Sequence, residues 1–213
     1  DGLLTNTGVA WVWTIPASLP LPAGMSEGVA RRLSRLPADA VKILVTAAAI
    51  GRTFSIALLA DAAGAEMDAV LDAVDSGLAA SVLEPVHEQD DDTYRFAHAL
   101  LVDAVLRTVS PARQRIIHRR IADLLAARSP DAVDAVAWHY ARSGDGSQTY
   151  TWCRSAAERA MARYALDDAT RFLELALEHA NAEDQRVAAQ DQLAHAAELS
   201  GRWDEVARWC DAM

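Results

Sequence analysis

Lysine is almost missing from this chain. Of its 20 basic residues, 19 are arginine and Lys42 stands alone. A phosphate-binding loop of the type Gly-x-x-x-x-Gly-Lys-Ser/Thr needs a lysine behind a glycine-rich turn. Lys42 lies in Asp39-Ala-Val-Lys-Ile-Leu44, which has no glycine, so the chain carries no P-loop. Cysteine is scarce too. Cys153 and Cys210 lie 57 positions apart with no Cys-x-x-Cys pair, which predicts two free thiols in a cytoplasmic setting. The six histidines show no His-Glu-x-x-His spacing, so no metal centre is expected. No apolar run reaches the roughly 20 residues of a membrane span. The first residues lack a basic stretch followed by an apolar one, as a signal peptide requires, and the chain begins at Asp1 rather than Met. It reads as a segment of something longer. A catalytic constellation is also wanting: no Gly-x-Ser-x-Gly occurs, and Ser143-Gly-Asp-Gly-Ser147 has the composition of a helix-joining turn. Asp167-Asp168 and Glu183-Asp184 stand where helices begin, as the dipole favours. No enzyme activity is expected.

Alanine and acid are plentiful. Hydrophobic residues make up 52% of the chain and the formal net charge is −10, which argues against general attraction to nucleic acid or anionic membrane. Arginine in place of lysine, with abundant alanine, points to a GC-rich genome of the actinobacterial kind.

Residues 1–24 look irregular: Gly8 to Ile15 alternates like a strand, and Pro16, Pro20 and Pro22 then forbid regular structure. Trp11 and Trp13 share one side of that strand and are candidate partner-binding residues. Ser26 is expected to cap a helix ending near Leu36, and Pro37 to open another over 38–49. Helices at 55–63 and 67–76, joined around Gly64, have helix-turn-helix spacing. Gly77 to Ser81 is expected to turn the chain into a strand over 82–87, returning over 93–96 as a hairpin. Helices are predicted at 98–109, 112–128, 132–143, 147–163, 166–181, 184–200 and 204–213, with Pro130 as a boundary.

A helix-turn-helix invites DNA binding, and the charges refuse it. The second helix carries Glu66, Asp68, Asp72 and Asp75, and the hairpin Glu84, Glu88, Asp90, Asp91 and Asp92. Phosphate contacts need cations, and base reading mostly uses Arg, Lys, Asn or Gln. Protein contact suits such a surface better. The one basic cluster is Arg107, Arg113, Arg115, Arg119 and Arg120 with His118. Arg113 and Arg120, seven apart, share a helix face, with Ile116, Ile117 and Ile121 on another. That face either pairs with Asp103 and Asp123 or docks the acidic hairpin or a neighbouring domain.

Between Tyr94 and Val105 a strand runs into an amphipathic helix with His98 at the junction, where unpaired N–H groups and the helix dipole suit phosphate. This segment resembles the winged-helix junction of the signal-transduction ATPases with numerous domains, a class including plant resistance proteins and LuxR-type large ATP-binding regulators. There the junction often reads Met-His-Asp-Leu; here Ala97 and Ala99 replace Met and Asp. Ala30 to Pro37, Ala47 to Phe54, Arg95 to Leu101 and Pro111 to Ala122 follow in the order of the section after the ATPase core in those regulators and in related cyclase- or kinase-linked ATPases. The C-terminal helices resemble degenerate tetratricopeptide (TPR) repeats. Leu193, Ala194 and Trp203 fit one copy, Ala157, Ala160, Leu166, Ala169, Leu173 and Ala176 a second, and Ala137 and Tyr140 the start of another.

The resemblance implies a mainly α fold: a lead-in over 1–24 from an ATPase core, a winged-helix domain over 25–129 with a short β-hairpin, and a TPR-like helical array over 130–213. It implies a non-catalytic regulatory arm of a LuxR-type transcription regulator. His98 would sense ATP or ADP held elsewhere in the parent protein, and the array would take an inducer or protein partner. The alternatives are a TPR-type adaptor with no nucleotide link, and the same arm serving a nucleotide cyclase.

Overall fold

Turn residues and N-caps divide this alanine-rich chain into short, strongly periodic segments, and helices dominate. The computed structural model describes residues 4–6, 11–13, 23–86 and 92–212, with side chains from residue 28 onward. Among these are eleven helices and two small antiparallel sheets. Strands β1 (Leu4–Asn6) and β2 (Trp11–Trp13) pair with each other, Thr5 opposite Val12. The first large unit then runs α1 (Ala23–Leu33), α2 (Ala38–Ile50), β3 (Thr53–Ser55), α3 (Ile56–Ala63), α4 (Met67–Ala79), β4 (Leu83–Pro85), β5 (Thr93–Phe96), α5 (Ala99–Leu106) and α6 (Pro111–Arg128). Helix α1 starts three residues before Ser26, so the cap expected there lies inside the helix.

The second sheet has three strands in the order β3-β5-β4, not the lone hairpin expected. β3 is only three residues long, too short to show a period-2 pattern, and pairing with β5 sets it: Phe54 lies opposite Tyr94, and on the other side Leu83 opposite Phe96. The Phe54 and Phe96 rings are both buried, 5.9 Å apart at a tilt of 56°. They pack with Leu44, Leu59, Val70 and Leu101 into the main core. Each such buried side chain contributes about 1.5–3 kcal/mol.

Gly77 does not turn the chain. It lies buried within α4, where a Cβ would come within 2.8 Å of Leu83 Cδ1; glycine lets the helix press onto β4. The turn comes at Ser81, with φ of 54°. Val82 N–H donates to the Gly77 carbonyl at 2.8 Å and Ser81 N–H to the Leu78 carbonyl at 2.9 Å, a Schellman ending with serine in the left-handed position.

Five more helices follow: α7 (Val133–Ser143), α8 (Gly146–Ala162), α9 (Leu166–Glu178), α10 (Glu183–Leu199) and α11 (Trp203–Asp211). Each packs mainly on the one before and the one after. Small residues make this close stacking possible: Ala156, Ala157, Ala160, Ala169, Ala176 and Ala196 are all buried. Trp203 is 65% exposed at the start of α11. Pro130 falls in the link between α6 and α7. The core nevertheless runs through α6, where Ile121 packs with Ala49 and Ala62 while neighbouring Ala122 packs with Val136 and Tyr140. Among the described residues no helix is long and apolar enough to cross a membrane.

Candidate functional site

Extended backbone at His98 (φ −144°, ψ 139°) carries β5 into α5. Its Nδ1 accepts a hydrogen bond from the Leu100 N–H at 3.3 Å, capping the helix. An imidazole that accepts at Nδ1 when neutral carries its proton on Nε2, so the other ring nitrogen is a donor. His98 is exposed and lines a shallow cavity of about 190 Å³ with Gly28, Val29, Arg32, Leu100 and Leu101. Arg32 in turn donates to the Ser81 carbonyl at 3.3 Å, which ties α1 to the end of α4 beside the site.

The basic cluster is not one surface. Arg120 donates to the carbonyls of Ala62 and Ala63 at 3.2 and 3.3 Å, satisfying the C-terminus of α3. Arg119 pairs with Asp145 at 3.0 Å, and Arg128 pairs with Asp61. Arg113 is exposed and makes no ion pair among the described residues; its N–H donates to the capping Ser110 Oγ at 3.4 Å. Neither Asp103 nor Asp123 pairs with these arginines. Asp123 instead accepts from the Tyr140 hydroxyl on α7 at 2.7 Å. Ile116, assigned to an apolar face, is 63% exposed, while Ile121 is fully buried. Trp11 and Trp13 lie on β2, and their side chains fall outside the described residues, as do hairpin residues Glu88, Asp90 and Asp91. Glu84 is described, and it is paired with Arg95 across β4 and β5 at 2.5 Å.

A second cluster forms where α6 meets α7. His118 and His139 are buried with their Nδ1 atoms 3.0 Å apart, so one ring donates and the other accepts. Burial, reinforced by the Arg142 charge, holds His118 down to about 4. Burial followed by the neighbouring His118 and Arg142 pushes His139 down to about 3. Both rings are therefore neutral near pH 7. Trp138 packs edge-on against the two imidazoles, at 5.3 and 4.7 Å between centroids, and the Arg142 guanidinium lies 3.8 Å over its ring. Trp138 stays 40% exposed and forms a wall shared by two cavities of about 480 and 620 Å³. The sequence offered one sign of this cluster, an arginine four residues after a tryptophan on a helix. The partnership with His118, 21 residues away, depends on helix packing that no local pattern encodes.

Cys153 is buried and Cys210 exposed, both free thiols. Desolvation pushes the Cys153 thiol up to about 12, so it is no nucleophile. Among the described residues no group of histidines, cysteines and carboxylates is arranged to hold a metal. Comparison with models of known families, with characterised proteins and with solved structures finds no match.

Proposed function

We propose that this chain is the regulatory arm of a LuxR-type, ATP-dependent transcription regulator of the signal-transduction ATPase class. In this reading residues 25–129, α1 to α6 with the β3-β5-β4 sheet, form a winged-helix domain, and α7 to α11 a TPR-like array. The arm couples nucleotide state and inducer or partner binding to an output domain in the same cytoplasmic polypeptide.

The observation that carries the proposal is His98. It caps α5 through Nδ1, leaving Nε2–H as an exposed donor at a helix N-terminus, next to a cationic group, Arg32. A phosphate oxygen presented by the ATPase core would meet both. Support also comes from α4 and its N-cap, where exposed Glu66, Asp68, Asp72 and Asp75 suit a protein surface better than DNA. In the parent polypeptide the reading expects a P-loop ahead of this segment and a helix-turn-helix output domain after it.

A hydrogen bond to a charged group contributes about 1.5–3 kcal/mol. In the full-length protein His98→Ala should therefore weaken ADP binding about tenfold or more and raise basal output. His98→Ser keeps an N-cap acceptor, so it should weaken ADP binding equally while restoring the melting temperature. Unchanged ADP affinity in both variants would leave His98 as a cap only, and the nucleotide link would go.

A further inference from the structure

We propose that the 620 Å³ cavity between the end of α2, α5, α6 and α7 binds a small organic anion, a carboxylate or phosphate carried on a flat apolar body. Three guanidinium groups, Arg52, Arg115 and Arg142, line it against one carboxylate, Asp103. None of the three arginines forms an ion pair among the described residues, and Arg142 donates only to the Trp138 carbonyl at 3.4 Å. In a chain with 30 acidic residues and a net charge of −10, such convergence is not for want of carboxylates. Like charges gathered in one concavity repel, and an anion relieves that repulsion. The planar guanidinium fork matches carboxylate and phosphate oxygens in pairs.

The apolar part of the ligand has its own wall. Trp138 is half-exposed into the cavity while its edges are fixed by two buried imidazoles and one face by Arg142, and Leu106 faces it from α5. The volume lies within the roughly 300–1,000 Å³ common to small-ligand pockets. This site is separate from the His98 junction and does not depend on the function proposed above.

Calorimetric titration of the 213-residue chain with naphthoate, naphthyl phosphate and the uncharged naphthylmethanol tests it. At least one anion should bind about tenfold more tightly than the alcohol, as one charge-assisted hydrogen bond predicts. The tighter of the two identifies carboxylate or phosphate as the preferred group. Arg52→Gln and Arg115→Gln, whose side chains make no hydrogen bond among the described residues, should each weaken that anion about tenfold. Arg113→Gln, on the same helix as Arg115 but outside the cavity, should leave it unchanged. Equal binding of the anions and the alcohol would overturn the proposal. So would the absence of binding at about 1 mM ligand, or undiminished affinity in a folded Arg52→Gln/Arg115→Gln double variant.

Discussion

At Ser81 and Tyr164 the backbone takes left-handed φ values of 54° and 59°, where side chains are strained. Helices α3 and α10 end in the same way, but with Gly64 and Gly201 in that position, at 61° and 70°. Tyr164 is 77% exposed, so its ring gives little in return. Tyr164→Gly should raise unfolding stability by about 1 kcal/mol, read as a higher denaturant midpoint at unchanged slope. Gly77→Ala should do the reverse. The new methyl meets Leu83, itself buried in the core, and overpacking costs about 1–3 kcal/mol against a gain of about 1 in helix propensity. A net loss is expected by the same measurement. Glycine in this chain thus marks a helix end at residue 64 and close packing at residue 77, and the two are indistinguishable in sequence.

Between elements, the α6–α7 contact sets an acid response. His118 and His139 are held well below the ordinary value of 6.5. The unfolded chain therefore binds more protons than the folded one between about pH 6.5 and 4, and stability falls as pH drops through that window. The melting temperature should be lower near pH 5 than near pH 7. His139→Gln, which keeps a hydrogen-bonding partner for His118, should reduce that dependence. An unchanged acid slope in the variant would assign the response to other groups. Individual elements were far easier to foresee than their contacts. Ser55, Ser110 and Asp145 cap α3, α6 and α8 through their side chains, and Gly64, Gly144 and Gly201 follow helix ends, so helix limits were legible to within a few residues. The place of His98 at a strand-to-helix junction was legible because strand alternation changes to helix periodicity there. β3 was not, being defined by its partner strand, and neither was the cluster at Trp138, whose members come from two helices.

At the scale of the molecule acid outweighs base, with a formal net charge of −10. The acidic face of α4 is exposed, and the arginines of α6 are divided between a helix terminus, ion pairs and a cavity. The purified chain should show no sequence-specific duplex binding at about 0.2 M salt, where phosphate contacts weaken steeply; a submicromolar complex surviving that salt in a gel-shift assay would reverse the conclusion. The C-terminal helices stack in one direction, each held by its neighbours, and α11, the last helix described, has no fully buried residue. Local stability in such a stack depends on nearest-neighbour contacts. The two thiols lie at different depths along it. Cys210 sits on α11 and is exposed, whereas Cys153 is sealed in α8 between α7 and α9. An alkylating reagent meets the first as a surface group and the second only after the neighbouring helices part. The native chain thus contains a two-point chemical clock, one hand timing collision and the other the unzipping of the stack.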